Sequence, residues 1–330
     1  MSRSFQRAAR AIGIVFFPLL LLSLALPGCG TKDDDVWPKD KTGPKVVVSF
    51  APYYCFAANV AGDDAIIKTM MTTSGPHHFQ ATDKDAHLLR RADLFLVNGL
   101  GLDEEMAETL KKGSSNPQLK IVELGEKIPE DKLVAGVRHH QHAGADHDHG
   151  KDAHVWLSPD YAIYLVEGIR DELKAADPPH AANYDRRCKE YIEKLHKLKA
   201  DGLAMLKDKK DRRMVTFHES LAYFAKTFDL SIVSVVEKTP GSEPNDQQLK
   251  ALIALCADGD KPVRLITVEP QYSNSNSGSQ LIESLKHKKV PDPALVEFDT
   301  LETVVPNQLS LDWYENKMRA NLSALAEKMK

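Results

Sequence analysis

The histidines of this chain are distributed in a pattern that indicates metal chemistry. Five of its 13 histidines lie in one tract, residues 138–150, which reads RHHQHAGADHDHG. These five are His139, His140, His142, His147 and His149. Neutral imidazole is a strong ligand for zinc, copper and nickel, and a polar His/Asp tract is a compositional sign of metal binding. The alternative is a solvated loop that binds no metal. The tract alone therefore indicates metal binding and does not show what the protein does with the metal.

Four other potential ligands lie at or after predicted β-strands. They are His77, His154, His218 and Asp299. Ligands of parallel α/β sheets bind outside the carboxyl ends of the strands, so two residues from each half of the chain could meet in a cleft between lobes. Three imidazoles and one carboxylate would form a closed, roughly tetrahedral zinc shell. Each residue also has an ordinary interpretation, as a hydrogen-bonded loop histidine or, for Asp299, as a helix cap or turn former.

The elements that must position these residues alternate along the chain. Short β-rich runs and helical periodicity follow one another from Lys45 onward, which predicts an α/β fold with parallel sheets. Strands are expected at residues 45–50, 65–71, 93–97, 119–124, 214–217, 231–236, 263–268 and 295–298. Thr82 and Asp85 predict a capping box. Asp103 and Ser158 each predict the start of a helix. Four strands in each half predict two similar (β/α)4-type lobes.

The middle of the chain has a different pattern. Apolar residues recur at spacings of three and four from position 181 to about position 207, with no proline and one glycine. This spacing predicts a single amphipathic helix of about 27 residues, or about 40 Å. We expect this helix to be a rigid strut between the two lobes.

The N-terminus resembles the export signal of a bacterial lipoprotein. Three arginines precede an almost entirely apolar stretch at residues 11–26, which is too short for a spanning helix. The residues LPGC at 26–29 resemble the lipobox, in which the cysteine is lipidated. We therefore predict a signal peptide at 1–28, lipidation of Cys29 and a flexible tether at 29–44. An uncleaved anchor is the alternative, and both readings place the body outside the cytoplasm, on the cell membrane or the outer membrane.

Composition excludes some classes of partner and site. The net charge of −4, with signs interspersed, gives no basic face, so nucleic acid is not an expected partner. With Cys29 lipidated, Cys55, Cys188 and Cys256 remain and allow one disulfide at most. No Cys-x-x-Cys occurs, so a thiolate metal site has no support.

The segments that carry the candidate ligands resemble the zinc/manganese-type solute-binding lipoproteins of bacterial ABC importers, and the zinc branch in particular. GPHHFQ at 75–80 looks like that family's Pro-His-x-Tyr/Phe element, and DAHVWLSP at 152–159 looks like its Asp-Pro-His-x-Trp-Leu-x-Pro element. VTFH at 215–218 is similar to its third-ligand strand. EPQY at 269–272 and WYENKMR at 313–319 also resemble family segments. The match runs in order from about residue 45 to the C-terminus.

The resemblance implies a division of the chain and a position for the metal. It implies an N-terminal metal-binding lobe at 45–178 with the His-rich loop 138–150, a backbone helix at 179–210, and a C-terminal metal-binding lobe at 211–330. The metal would lie in the cleft between the lobes.

The resemblance also implies a ligand set. The implied ligands are His77, His154 and His218, with Asp299 as the fourth. The family varies at the fourth position between Asp, Glu and water, and Glu297 and Glu302 lie nearby in the sequence. His78 is adjacent to His77, so the register of the first ligand stays open. Manganese-type members tend to have a carboxylate in place of the third histidine, so three imidazoles favour zinc.

The implied function is capture of Zn²⁺, as a transported ligand, and its delivery to the permease of an ABC importer by a monomeric protein that is not an enzyme. A manganese-binding member of the same family is one alternative. A periplasmic zinc buffer or chaperone is another. A zinc hydrolase is a third, because His218 and Glu219 begin like the His-Glu-x-x-His metalloprotease helix, but Ala222 occupies the position of the second histidine.

Overall fold

The described part of the chain contains two parallel four-stranded sheets with connecting helices. This architecture confirms the predicted α/β class. The structure is a computed structural model that describes residues 36–136, 150–237, 244–259, 261–271 and 276–330. The strands are β1 (Lys45–Val48), β2 (Ile66–Thr69), β3 (Leu94–Val97), β4 (Lys120–Glu123), β5 (Arg213–His218), β6 (Ser231–Glu237), β7 (Leu265–Val268) and β8 (Ala294–Glu297). Their orders are β2-β1-β3-β4 and β6-β5-β7-β8, so each half of the chain repeats the same topology. The predicted signal peptide, Cys29 and the five tract histidines lie outside the described residues.

Helices connect and cover the strands. They are α1 (Ala51–Ala61), α2 (Asp83–Leu89), α3 (Glu104–Ser114), α4 (Pro159–Ala176), α5 (Ala181–Leu206), α6 (Ala222–Phe228), α7 (Asp246–Ala257), α8 (Ser277–His287) and α9 (Trp313–Lys328). Thr82 and Asp85 form the predicted capping box of α2, and the side chain of Ser158 accepts a hydrogen bond from the backbone N of Tyr161 at the start of α4. Helix α3 begins after Asp103 as predicted, but the carboxylate of Asp103 accepts from backbone N–H groups of the preceding loop instead of capping the helix.

The long central helix is present where the sequence predicts it. Helix α5 has 26 residues and is about 39 Å long at 1.5 Å per residue. Its apolar face is buried through Tyr184, Cys188, Tyr191, Leu195, Leu198 and Leu206. It packs against α1, α4, α6 and α9, so elements of both halves share one support. No helix in the described residues is long and apolar enough to cross a bilayer.

The largest hydrophobic core runs through both halves. It contains Phe50 and Trp156 from the first half and Phe224 and Phe298 from the second. Phe50 and Trp156 meet edge to face at 4.8 Å between ring centroids, and so do Phe224 and Phe298. A smaller core lies under α7 and α8 against the second sheet. Because buried aromatic rings contribute large apolar areas, the continuous core stabilises the two halves together.

The cysteines of the described chain do not form the single disulfide that the sequence allows. Cys55, Cys188 and Cys256 are all buried and free. Each one packs as a small apolar side chain within or beside the cores.

Candidate metal centre

His154 is held by an aspartate two residues before it. The Nδ1 atom of His154 and its backbone N both lie 2.8 Å from Oδ1 of Asp152. The backbone carbonyl of Asp152 in turn accepts a hydrogen bond of 2.9 Å from the hydroxyl of Tyr223, on helix α6 of the second half. Because a carboxylate can only accept, Nδ1 carries the hydrogen and Nε2 presents a lone pair. Both side chains are buried, so this orientation is fixed away from solvent.

His218 is held by a glutamate from the next strand of its sheet. His218 is the last residue of β5, and its Nδ1 lies 3.1 and 3.2 Å from the two carboxylate oxygens of Glu269, just after β7. The hydroxyl of Ser220 donates to Glu269 at 2.6 Å. The Nε2 atom of His218 is buried and has no hydrogen-bond partner among the residues that the structure describes.

The charges around His218 favour a cation. Burial lowers the pKa of this imidazole, but the hydrogen bond and charge of Glu269, with the charges of Glu302 and Asp152, outweigh burial and raise the pKa overall. The same negative charges that favour an imidazolium favour a divalent metal ion at the Nε2 face.

His77 completes a set of three imidazoles. It lies in the 3₁₀ turn Pro76–His78 that follows β2, and its Nε2 is 3.3 Å from Nε2 of His154. Zinc–nitrogen bonds of about 2.0–2.1 Å at a tetrahedral angle separate two ligand nitrogens by about 3.3–3.4 Å. The two nitrogens therefore stand at the spacing of two ligands of one zinc ion. His78, the alternative register, is exposed.

The fourth member of the group is Glu302. One ligand atom from each of His77, His154, His218 and Glu302 lies within 4.8 Å of the others. The Oε1 atom of Glu302 is 3.7 Å from Nε2 of His77, and the glutamate is fully buried. A buried carboxylate beside three imidazoles supplies the donor set of a closed tetrahedral zinc site.

The structure places Glu302, and not the predicted Asp299, with the three histidines. Oδ1 of Asp299 accepts from the backbone N of Leu301 at 2.8 Å and from the side-chain amide of Gln271. Its Oδ2 pairs with Nζ of Lys317 at 2.7 Å. Asp299 thus forms a turn, which was its alternative interpretation, and this turn places Leu301 at a φ of +63°. Glu297, the other nearby acid, is exposed.

Sequence reasoning gave no role to the two supporting carboxylates. Asp152 and Glu269 both lie in segments that carry the family resemblance, so the signal was present in the motif. Their contacts with the histidines depend on how the loops fold, and sequence spacing does not show them. Metal-bound histidines usually donate their second ring N–H to such a group. This recurring partner is what a sequence search should seek next to a predicted histidine ligand.

Known proteins with similar sequences are named for zinc or manganese. The chain is 31% identical over 293 residues to the zinc-binding protein AdcA of Streptococcus pyogenes serotype M6, covering 85% of this chain and 55% of that protein. It therefore spans about half the length of this relative. It is 28% identical over 276 residues to the manganese-binding lipoprotein MntA of Bacillus subtilis, covering 82% and 84% of the two chains.

The fold has solved counterparts. The structure of the solute-binding protein FpvC from Pseudomonas aeruginosa in complex with Mn²⁺ matches with a TM-score of 0.73 at 25% identity, covering 87% of this chain and 98% of that one. The sequence profile of the ZnuA family, described as the periplasmic component A of the zinc-uptake complex, matches residues 46–328. That range includes both sheets except Lys45, the first residue of β1, and it includes helix α5 and the whole candidate metal centre. The chain belongs to the ZnuA family of zinc-uptake component A proteins.

Proposed function

We propose that this protein captures Zn²⁺ outside the cytoplasm and delivers it to the permease of an ABC importer. The observation that carries the proposal is the buried group of His77, His154, His218 and Glu302, with ligand atoms within 4.8 Å of one another. Four protein ligands fill a tetrahedral shell, which suits holding an ion and leaves no position for a reacting water. The donor set therefore favours a binding protein over the zinc hydrolase that His218 and Glu219 suggest in the sequence.

Zinc is the metal that these donors favour. Three imidazole nitrogens and one carboxylate oxygen match zinc, whereas manganese prefers shells rich in oxygen. The relatives include proteins named for each metal, so family membership alone does not choose between them. The chemistry of the shell supports zinc, with Asp152 and Glu269 orienting His154 and His218 and adding negative charge.

Location and partners follow from the same proposal. The predicted signal peptide at 1–28 would direct export and be removed. Lipidated Cys29 would then attach a monomer to the cell membrane or the outer membrane through the tether at 29–44. Residues 45–178 and 211–330 would act as the two metal-binding lobes, and residues 179–210 would link them. The permease of a zinc importer would then receive the ion from the cleft.

The test measures metal affinity and growth together. Chelator competition should show one tight zinc site in the wild type. His154→Ala should lower the zinc affinity of this site by orders of magnitude. His78→Ala, which replaces the histidine next to His77, is the control and should leave the affinity unchanged. A bacterium whose own gene for this protein is deleted should regain growth in zinc-poor medium with the wild-type gene and not with His154→Ala. Equal affinity for Mn²⁺ and Zn²⁺ at the tight site would contradict the zinc assignment, and tight binding in His154→Ala would contradict the site.

A further inference from the structure

The loop that carries Glu302 follows the last strand of the second half but is bonded to the first half. We call residues 299–305 the Glu302 loop. Within it, the backbone carbonyl of Thr300 accepts a hydrogen bond of 2.8 Å from the indole Nε1 of Trp156. The backbone N of Val304 donates to the carbonyl of Thr72 at 2.8 Å. The loop is therefore attached to the first half on both sides of the glutamate.

Trp156 is itself a fixed support. It is fully buried, and its ring meets Phe50 edge to face at 4.8 Å. Its backbone carbonyl accepts a hydrogen bond of 2.7 Å from the hydroxyl of Tyr314. The ring also lies 5.1 Å from the ring of His154, centroid to centroid. Because the indole cannot turn without breaking its ring contacts with Phe50 and His154, the position of its N–H relative to His154 is set by packing.

His218 is supported in a different way. Its partner Glu269 follows β7, and Ser220, which donates to Glu269, follows β5. These three residues form one hydrogen-bonded unit on the second sheet. The support of His218 thus lies within the second sheet, whereas the Glu302 loop is bonded to both halves, through Asp299 to Lys317 of the second half and through Thr300 to Trp156 of the first.

We propose that Trp156, in the first half, is a positioning residue for Glu302, which lies on a loop of the second half. The inference rests on the proposed zinc-binding function. The Trp156 N–H fixes the Thr300 carbonyl, which fixes the backbone two residues before Glu302. Loss of this hydrogen bond should therefore weaken zinc binding through Glu302 and not through His218.

A double-mutant cycle tests this chain of contacts. Trp156→Phe keeps an aromatic ring against Phe50 and removes the N–H. It should weaken Zn²⁺ binding about tenfold, within the range for groups that orient metal ligands. Trp156→Phe should again weaken Zn²⁺ binding about tenfold in a His218→Ala background. In a Glu302→Gln background it should weaken binding less than about threefold, because changes coupled through a shared backbone segment are not additive. The Co²⁺-loaded Trp156→Phe protein should have a visible absorption spectrum shifted toward that of Glu302→Gln.

Trp313→Phe is the matched control. Trp313 is also buried, and its Nε1 has no hydrogen-bond partner among the described residues, so its replacement should leave zinc affinity within about twofold. If Trp156→Phe does not fold, Val304→Pro replaces it in the same cycle. This change removes the backbone N–H that bonds the Glu302 loop to the carbonyl of Thr72.

The outcomes separate the inference from the function on which it rests. The role of Trp156 would be overturned if Trp156→Phe lowered zinc affinity equally in the wild-type, His218→Ala and Glu302→Gln backgrounds. It would also be overturned if Trp156→Phe alone left zinc affinity unchanged. A wild-type protein without a tight zinc site would instead overturn the proposed function.

Discussion

One oxygen of Asp152 accepts two hydrogen bonds from His154, from the ring Nδ1 and from the backbone N, and both are 2.8 Å long. The two bonds fix the ring relative to its own main chain, so Nε2 has one direction available to it. The orientation of this ligand is thus set before any metal arrives, which reduces the entropy lost on binding.

Replacing Asp152 should weaken zinc binding without unfolding the protein. We expect Asp152→Ala to reduce zinc affinity by about 10- to 100-fold, because the ring of His154 loses its acceptor and the site loses a negative charge. Asp152→Asn keeps an acceptor oxygen for the ring, so it should reduce zinc affinity less than Asp152→Ala does. Chelator competition with circular dichroism as the folding control measures both, and an Asn variant weaker than the Ala variant would contradict an orienting role.

The fourth ligand can be identified by paired amide substitutions. Glu302→Gln should weaken zinc binding by about 100-fold or more, because it removes the only carboxylate in the group of four. Asp299→Asn keeps an oxygen for the N–H of Leu301 and should change affinity by less than about tenfold, as expected of a residue that only supports the loop. The reverse order of effects, measured by the same competition, would restore Asp299 as the ligand.

Zinc affinity should depend on pH through His218. Its raised pKa keeps the imidazole protonated to a higher pH than an ordinary histidine, and zinc requires the neutral form. Affinity should therefore fall as pH decreases through this raised pKa, starting above pH 6.5. Glu269→Gln removes the main group that raises the pKa, so the fall should move to lower pH. Titrations between pH 8 and pH 5 compare the two proteins, and superimposable profiles would exclude proton competition at His218.

The His-rich tract should bind extra zinc loosely and be dispensable for the tight site. The backbone N of Gly136, which precedes the tract, donates to the carbonyl of Gly150 at 2.8 Å, so a short glycine linker between these two residues can replace residues 138–149. Equilibrium dialysis should show loss of the weaker zinc ions and an unchanged tight one. A weakened tight site in the deletion variant would show that the tract contributes to it.

Asp103 should make the stability of the metal-free protein depend on pH. Burial raises the pKa of this carboxyl to about 6, against the opposing hydrogen bonds from the backbone N–H groups of Asn98 and Gly99. Since the folded pKa exceeds the unfolded one, its stabilising contribution is complete below about pH 4 and is lost as pH rises through about 6.

Asp103→Asn removes this titration. The free energy of unfolding of the wild type, relative to the variant, should therefore fall by about 2 kcal/mol between pH 4 and pH 7. Urea unfolding at several pH values measures the difference. A constant difference across this range would mean that folding does not raise the pKa of Asp103.

Periodicity in the sequence predicts the framework of this fold well. All eight strands and helix α5 lie at the predicted places, because alternating β-rich and helical segments reflect which faces are buried. The register at His77 and His78 could not be predicted this way. In a 3₁₀ turn with three residues per turn, successive side chains point about 120° apart, so only one can face the cleft.

The fourth ligand shows where sequence reasoning ends. Asp299 directly follows a strand and has the right chemistry, yet its carboxylate is used within the loop. The left-handed conformation of Leu301 changes the direction of the chain, and Glu302 reaches the histidines instead. A leucine gives no sequence signal for a positive φ, because this conformation is imposed by the hydrogen bonds around it.

The burial of the three cysteines has a consequence for labelling. Burial raises the pKa of Cys55 to about 12 and that of Cys256 to about 11, and it also raises the pKa of Cys188. At neutral pH only about one Cys256 thiol in ten thousand is ionised, and the thiolate is the form that reacts with maleimides and oxidants. A cysteine introduced on the surface would therefore be the one reactive thiol in the described part of the chain. Fluorophores could then report movements of either lobe without removal of a native residue.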